Sequence, residues 1–298
     1  MSELMVRAIL GDEFEYGVIM NKFKEDEIAN YQKWIYRRFH SLCNKKMNNE
    51  LNSEWTVRHY LAAKMILSAT VMISSLEYCI EKNVKMSIPY LSYYAILTCC
   101  RAVIFTMPDI KWKNDSFLQM THTKIINEVK DCIMKLNQDY AEKLYKDINL
   151  YKEYREIFSY RFPASGLDEP LAKECPITKT VCICTLLCDI AQLNSSEIEK
   201  YIFKNCLEDL NDWYKLDVEY LKHCFCYKLG DDIKIIDKED GYRIDYINRK
   251  KPFPVSIYNT MSEGMVEDFF GSWYSSEIDK DDTIYNPDID WRLIFNVP

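Results

Sequence analysis

Arginine, histidine and tyrosine are side chains that can hold a phosphate and move a proton without a metal. In this 298-residue chain the ones whose setting invites such chemistry are Arg101, His122, Arg155, Tyr160 and Arg161. Arg101 stands inside SYYAILTCCRAVIF (92–105), the most core-like stretch of the sequence. On a helix, Tyr93, Ile96, Leu97, Cys100 and Ile104 share one face, and Tyr94, Thr98, Arg101 and Phe105 the adjoining one. A guanidinium among apolar groups requires acceptors, because an unpaired buried charge is costly. Two readings meet that need. One is a salt bridge to a carboxylate of another helix, with Glu77 as a partner. The other is an anion held in an inter-helix groove, where His122, Arg155 and Arg161 complete a cationic site. His122 opens a helix, where it either caps or hydrogen-bonds locally, or transfers protons near neutral pH.

Other constellations read as structure. Cys182, Cys184 and Cys188, with His223, Cys224 and Cys226, do not form the C-x(2–4)-C pairs projecting from turns that zinc knuckles use, and VCICTLLC fits an apolar helix. The acidic run DKDDTIYNPDID (279–290) has neither the turn glycine nor the final glutamate of a calcium loop. Neither a metal nor a cofactor is expected. The seven glycines include no G-x-G pair, and no G-K-[ST] occurs, which disfavours phosphate loops and dinucleotide folds. No G-x-S-x-G or H-E-x-x-H supports a hydrolase or metalloprotease.

The net charge of −8 argues against general nucleic-acid binding, which rests on phosphate neutralisation. Local basic clusters occur at Lys33, Arg37, Arg38, Lys45 and Lys46, and at Arg249, Lys250 and Lys251, and read as solvated faces. Twelve cysteines and an acid-bearing start, MSELMVRAILGDEFEYG, lead to the expectation of reduced thiols in a cytoplasmic protein without a membrane span.

The elements that must position these residues are mainly helices. Periodicity predicts a helical segment over 12–47, a break at NNELNS (48–53), and a long helix from about Glu54 to Glu81. A helix opening with Pro89 runs to Met107. Helices over 121–136 and from Asp139 follow, the second with a D-x-x-E capping box at Asp139 and Glu142 and an end at Pro163. An apolar helix over 178–194 precedes a second capping box at Ser196 and Glu199, with a helix to about Lys215 and another over 217–228. The D-G pair in IKIIDKEDGYRIDYI predicts a β-hairpin over 233–247. The tail, 252–298, is read as irregular and packed on the bundle.

YLSYYAILTCCRAVIF, then a loop, then THTKIINEV, then YREIFSYRFP resembles the central segment of HEPN-superfamily helical proteins, over about 54–163. The resemblance implies a mostly α fold with an HEPN-like bundle at 53–166. An N-terminal helical segment (1–52) and a C-terminal helical extension with the hairpin (167–298) would flank it. Ribonucleases of that superfamily carry R-x(4–6)-H. Here His40, His59, His122 and His223 are the four histidines, and none has an arginine five to seven residues before it. The expectation is therefore a non-catalytic or diverged binding or scaffold protein. By resemblance it would serve a microbial toxin–antitoxin or phage-defence module, with a protein partner or a second copy, and RNA or a nucleotide as ligand. The alternative is a divergent metal-independent ribonuclease using Arg101, His122 and Arg155 or Arg161.

Overall fold

A computed structural model describes residues 14–112, 118–164, 166, 173–206, 216–217, 222, 224–235, 238–275 and 283–295. His223, 207–215 and the start of the acidic run, 279–282, lie outside the described residues. The protein is mostly α-helical. Its helices are α1 (Gly17–Lys22), α2 (Glu25–Cys43), α3 (Asn49–Glu81), α4 (Ile88–Phe105), α5 (His122–Ile133), α6 (Gln138–Tyr160) and α7 (Ile177–Asn205). Two four-residue strands, β1 (Cys226–Leu229) and β2 (Asp232–Ile235), then precede α8 (Lys238–Lys250), α9 (Ile257–Thr260) and α10 (Glu263–Gly271).

Local signals set most helix starts. The Asn48 side chain accepts from Leu51 N at 2.8 Å, so α3 begins inside the expected break. Pro89 occupies the first turn of α4. α6 is capped by Asn137, whose Oδ1 accepts from Tyr140 N at 2.9 Å, and not by the Asp139–Glu142 box. Asn137 wins because its Nδ2 also donates to Glu27 of α2, at 2.7 Å, which ties the helix start to its neighbour.

α4 lies at the centre, against α3, α5, α6 and α7. A helix covered on so many sides is apolar nearly all round, as its sequence is. α7 runs along α4 and also meets α2 and α1. Three helical stretches, Asn49–Glu81, Lys85–Phe105 and Ile177–Asn205, are long and apolar enough to cross a membrane by length and composition. In the fold their apolar surfaces join one buried cluster.

The polar middle of α7 departs from expectation. Ser196 and Glu199 do not begin a second helix, because α7 continues unbroken to Asn205 and Ser196 is buried. Its polar groups are needed as partners. Asp189 Oδ2 accepts from Val18 N and Ile19 N, each at 3.0 Å, which satisfies the start of α1. Asn194 accepts from Tyr31 Oη at 2.7 Å and donates to Thr106 Oγ1 at 3.2 Å. Gln192, Ser195 and Glu199 accept from Tyr258 N (2.9 Å), Ile257 N (3.0 Å) and Ser256 N (2.9 Å), so α7 caps α9 from the side.

The expected hairpin over 233–247 is absent. Its D-G pair lies within α8, and the nearby two-stranded ladder pairs Cys226 with Ile235 and Leu229 with Asp232 around Gly230, at φ 63°. Asp240 decides for the helix: fully buried, it accepts from Tyr60 Oη and Lys64 Nζ of α3, both at 2.5 Å. A turn there would forfeit both bonds. The span 217–228, expected as helix, is helical at 222 and 224–225 and then enters β1 at Cys226.

The tail contains α9, α10 and a 3₁₀ turn at Pro287–Asp290 rather than irregular chain alone. Val266, Phe269, Phe270, Ile294 and Phe295 belong to the common buried cluster. Tyr285 Oη also donates to Val71 O at 3.0 Å. Truncation at about residue 250 would strip acceptors and donors from Gln192, Ser195, Glu199 and His59 and expose those aromatics. The 1–250 fragment is expected to be insoluble or to melt without cooperativity. A soluble fragment with a sharp calorimetric transition would contradict this.

Candidate anion-binding cleft

α4 packs against α5 and α6, and its incompletely buried side carries Tyr90, Tyr94 and Arg101. These positions are spaced at four and seven residues, so they share one side of an otherwise buried helix. Arg101 is half-buried, and its Nη1 donates to Leu118 O at 3.0 Å, just before α5. Burial lowers its pKa. Among the described residues no carboxylate pairs with it. Glu77 lies elsewhere: burial, then the charges of Asp290 and Glu81, push its carboxyl up.

The start of α5 brings His122 to the same place. Thr121, not His122, is the cap, with its hydroxyl accepting from Lys124 N at 3.4 Å. That leaves the imidazole free to face α4, where Nδ1 lies 3.0 Å from Tyr93 Oη. Its ring centroid is 5.8 Å from that of Tyr93 and 5.9 Å from that of Tyr94. Burial lowers the His122 pKa, and the charges of Arg101, Arg155 and Lys152 lower it further. The ring is therefore neutral at pH 7.

α6 supplies the remaining groups. Lys152 and Arg155 are three residues apart and share a face. The Arg155 guanidinium lies over the Tyr93 ring, 5.2 Å from its centroid. Its side chain is 11% exposed, its Nη2 is 3.6 Å from Glu156 Oε1, and its Nε is buried without a hydrogen-bond partner. Lys152 Nζ donates to Thr123 Oγ1 at 3.2 Å. Tyr93, fully buried, is the hub between His122 and Arg155, and burial pushes its phenol pKa up to about 12.

The fold thus brings Arg101, His122 and Arg155 together. Tyr160 and Arg161 lie at the exposed end of α6, Tyr160 being 78% exposed, and make no contact with that trio among the described residues. The helix end instead touches α4 through Ser159 Oγ and Tyr90 Oη at 3.4 Å. Tyr93, Tyr94 and Lys152 were not singled out from the sequence as site residues. Lys152 could have been found by its helical spacing from Arg155, but the role of Tyr93 depends on where α5 lands.

The other candidates disperse. Cys184 and Cys188 are buried towards Cys99 of α4, with Cys188 Sγ 3.8 Å from Cys99 Sγ, whereas Cys182 is exposed. Glu77, Glu81 and Asp290 line a cavity of about 600 Å³ with Tyr78 and Tyr285. Among the described residues no group of three or more histidines, cysteines or acids is placed to hold a metal. Arg38 pairs with Asp109, and Arg249 with Asp245 at 3.0 Å, as on ordinary solvated faces. No protein-family model, curated protein sequence or solved structure matches this chain.

Proposed function

We propose that this chain is a soluble binding protein, HEPN-like in its central helices, that takes a phosphate-bearing ligand of the RNA or nucleotide class where α4, α5 and α6 meet, without cleaving it. Arg155 carries this reading: its guanidinium, 11% exposed and stacked over the Tyr93 ring, has its Glu156 partner no nearer than 3.6 Å, and a phosphate oxygen would pair it more closely. Arg101 and Lys152 add positive charge, and the N-terminus of α5 adds its dipole. The resemblance extends the proposal to a cytoplasmic role in a toxin–antitoxin or phage-defence module, with a protein partner or a second copy.

A short single-stranded oligoribonucleotide is expected to raise the melting temperature of the wild type. Arg101→Met and Arg155→Met should each keep or raise the stability of the free protein, since each removes a poorly compensated charge. Both should lose the ligand-dependent rise. A rise that survives in the double variant would refute this site.

The ribonuclease reading draws on His122. In the neutral tautomer whose Nδ1–H donates to Tyr93 Oη, Nε2 is the nitrogen able to accept a proton. The same oligoribonucleotide, incubated with and without divalent metal, is expected to stay intact. Cleavage that disappears in His122→Ala would replace the binding reading with the enzymatic one.

A further inference from the structure

Cys43 closes α2 and Cys206 follows the last turn of α7, so residues distant in sequence meet at one end of the bundle. Their sulfurs are 3.5 Å apart. Beyond Cys43 the chain turns through two consecutive left-handed residues, Asn44 at φ 47° and Lys45 at φ 59°. The N–H groups of this turn are taken up within the fold, Asn44 N donating to His40 O at 2.7 Å and Lys46 N to Cys43 O at 2.9 Å. Tyr201 Oη fixes it by accepting from Lys45 N at 3.2 Å while lying 2.8 Å from His40 Nδ1. Asn44, Lys45 and Lys46 are exposed, so the buried pair sits directly beneath the surface, at 3% and 8% exposure.

We propose that Cys43 and Cys206 form a reversible oxidation site, converted to a disulfide by a small hydroperoxide. The roles of the two sulfurs differ. The hydrogen bond with the Cys206 thiol lowers the Cys43 pKa against the effect of burial. The Cys206 pKa is raised, first by that same bond. Cys43, two and three residues before the exposed cations Lys45 and Lys46, takes the role of attacking thiolate and Cys206 that of resolving thiol. In the first step the Cys43 sulfur attacks a peroxide oxygen. An S–O bond forms, the O–O bond breaks, and the leaving hydroxide or alkoxide takes a proton. In the second, the Cys206 sulfur attacks the sulfenic sulfur, the S–O bond breaks, and hydroxide leaves as water with the Cys206 proton. The pair is oxidised by two electrons and the peroxide reduced by two. The new bond would fasten α2 to the end of α7 across 163 residues of chain. Cys99 and Cys188, 3.8 Å apart, are also close, but both are fully buried between α4 and α7, away from any oxidant.

The test uses the reduced full-length protein, treated with near-stoichiometric hydrogen peroxide, alkylated after denaturation and mapped by mass spectrometry. The expected product is a Cys43–Cys206 linked peptide pair, lighter by two hydrogens than the reduced peptides and restored by dithiothreitol. Cys99, Cys184 and Cys188 should remain alkylated, and the oxidised form should melt at a higher temperature. In Cys206→Ser, a dimedone adduct should collect at Cys43. Two results would overturn the proposal. One is Cys43 and Cys206 recovered as alkylated thiols while other cysteines oxidise. The other is Cys43 passing to sulfinic acid without the cross-link in the wild type.

Discussion

Asp240→Ala is expected to destabilise the protein by about 3–5 kcal/mol, the cost of removing one partner of a buried ion pair. The carboxylate is fully buried and holds Tyr60 Oη and Lys64 Nζ at 2.5 Å each. Without it the half-buried ammonium of Lys64 loses its counter-charge and the Tyr60 hydroxyl its acceptor. The loss falls on the contact that seats α8 on α3, so the damage should extend to the chain that follows. Denaturant unfolding followed by tryptophan fluorescence measures the change. A triple substitution, Asp240→Leu with Lys64→Met and Tyr60→Phe, should recover most of it, since apolar groups of similar size often replace a buried pair without loss. A cost below about 1 kcal/mol for Asp240→Ala would mean that the latch contributes little.

Acid should weaken the fold through His59. This imidazole is fully buried on α3, with Nδ1 donating to Val255 O at 2.6 Å and Nε2 without a partner. Burial lowers its pKa to about 4, from 6.5 in an open chain. Below pH 6.5 the unfolded chain therefore takes up a proton that the folded protein refuses. The contribution is fully present above pH 6.5 and is lost progressively as pH falls towards 4, amounting to about 3 kcal/mol. Asp189 acts in the opposite direction. Burial raises its carboxyl to about 6, so the folded state binds a proton first, and its contribution is present at low pH and lost as pH rises through 6. The difference between wild type and His59→Gln isolates the histidine. The variant should show a flatter decline in stability between pH 6.5 and 4, by about 3 kcal/mol over that interval. Parallel pH profiles would show that His59 is protonated in the folded protein.

Both predictions concern ties between α3 and the chain after residue 237, ties that no sequence pattern announces. What the sequence by itself determined is the run of helices up to α7. Periodic apolar residues marked α2 to α6 and the first half of α7, and Pro89 marked the first turn of α4. The odd placement of Arg101 also pointed to the side of α4 that is not fully buried. Those signals span a few turns of chain, and the chemistry that writes them is equally local. Tertiary structure decided the rest. It made Asp240–Gly241 part of a helix because Tyr60 and Lys64 were there to bond Asp240. It kept α7 whole because Ser195 and Glu199 found amide donors on a distant segment. It gave Arg101 the carbonyl of Leu118 instead of Glu77, and it left Arg155 and not Arg161 beside His122. In all of these but Arg155, a polar group shielded from water had to find a partner within about 3 Å, and only the folded chain determines which groups come that close.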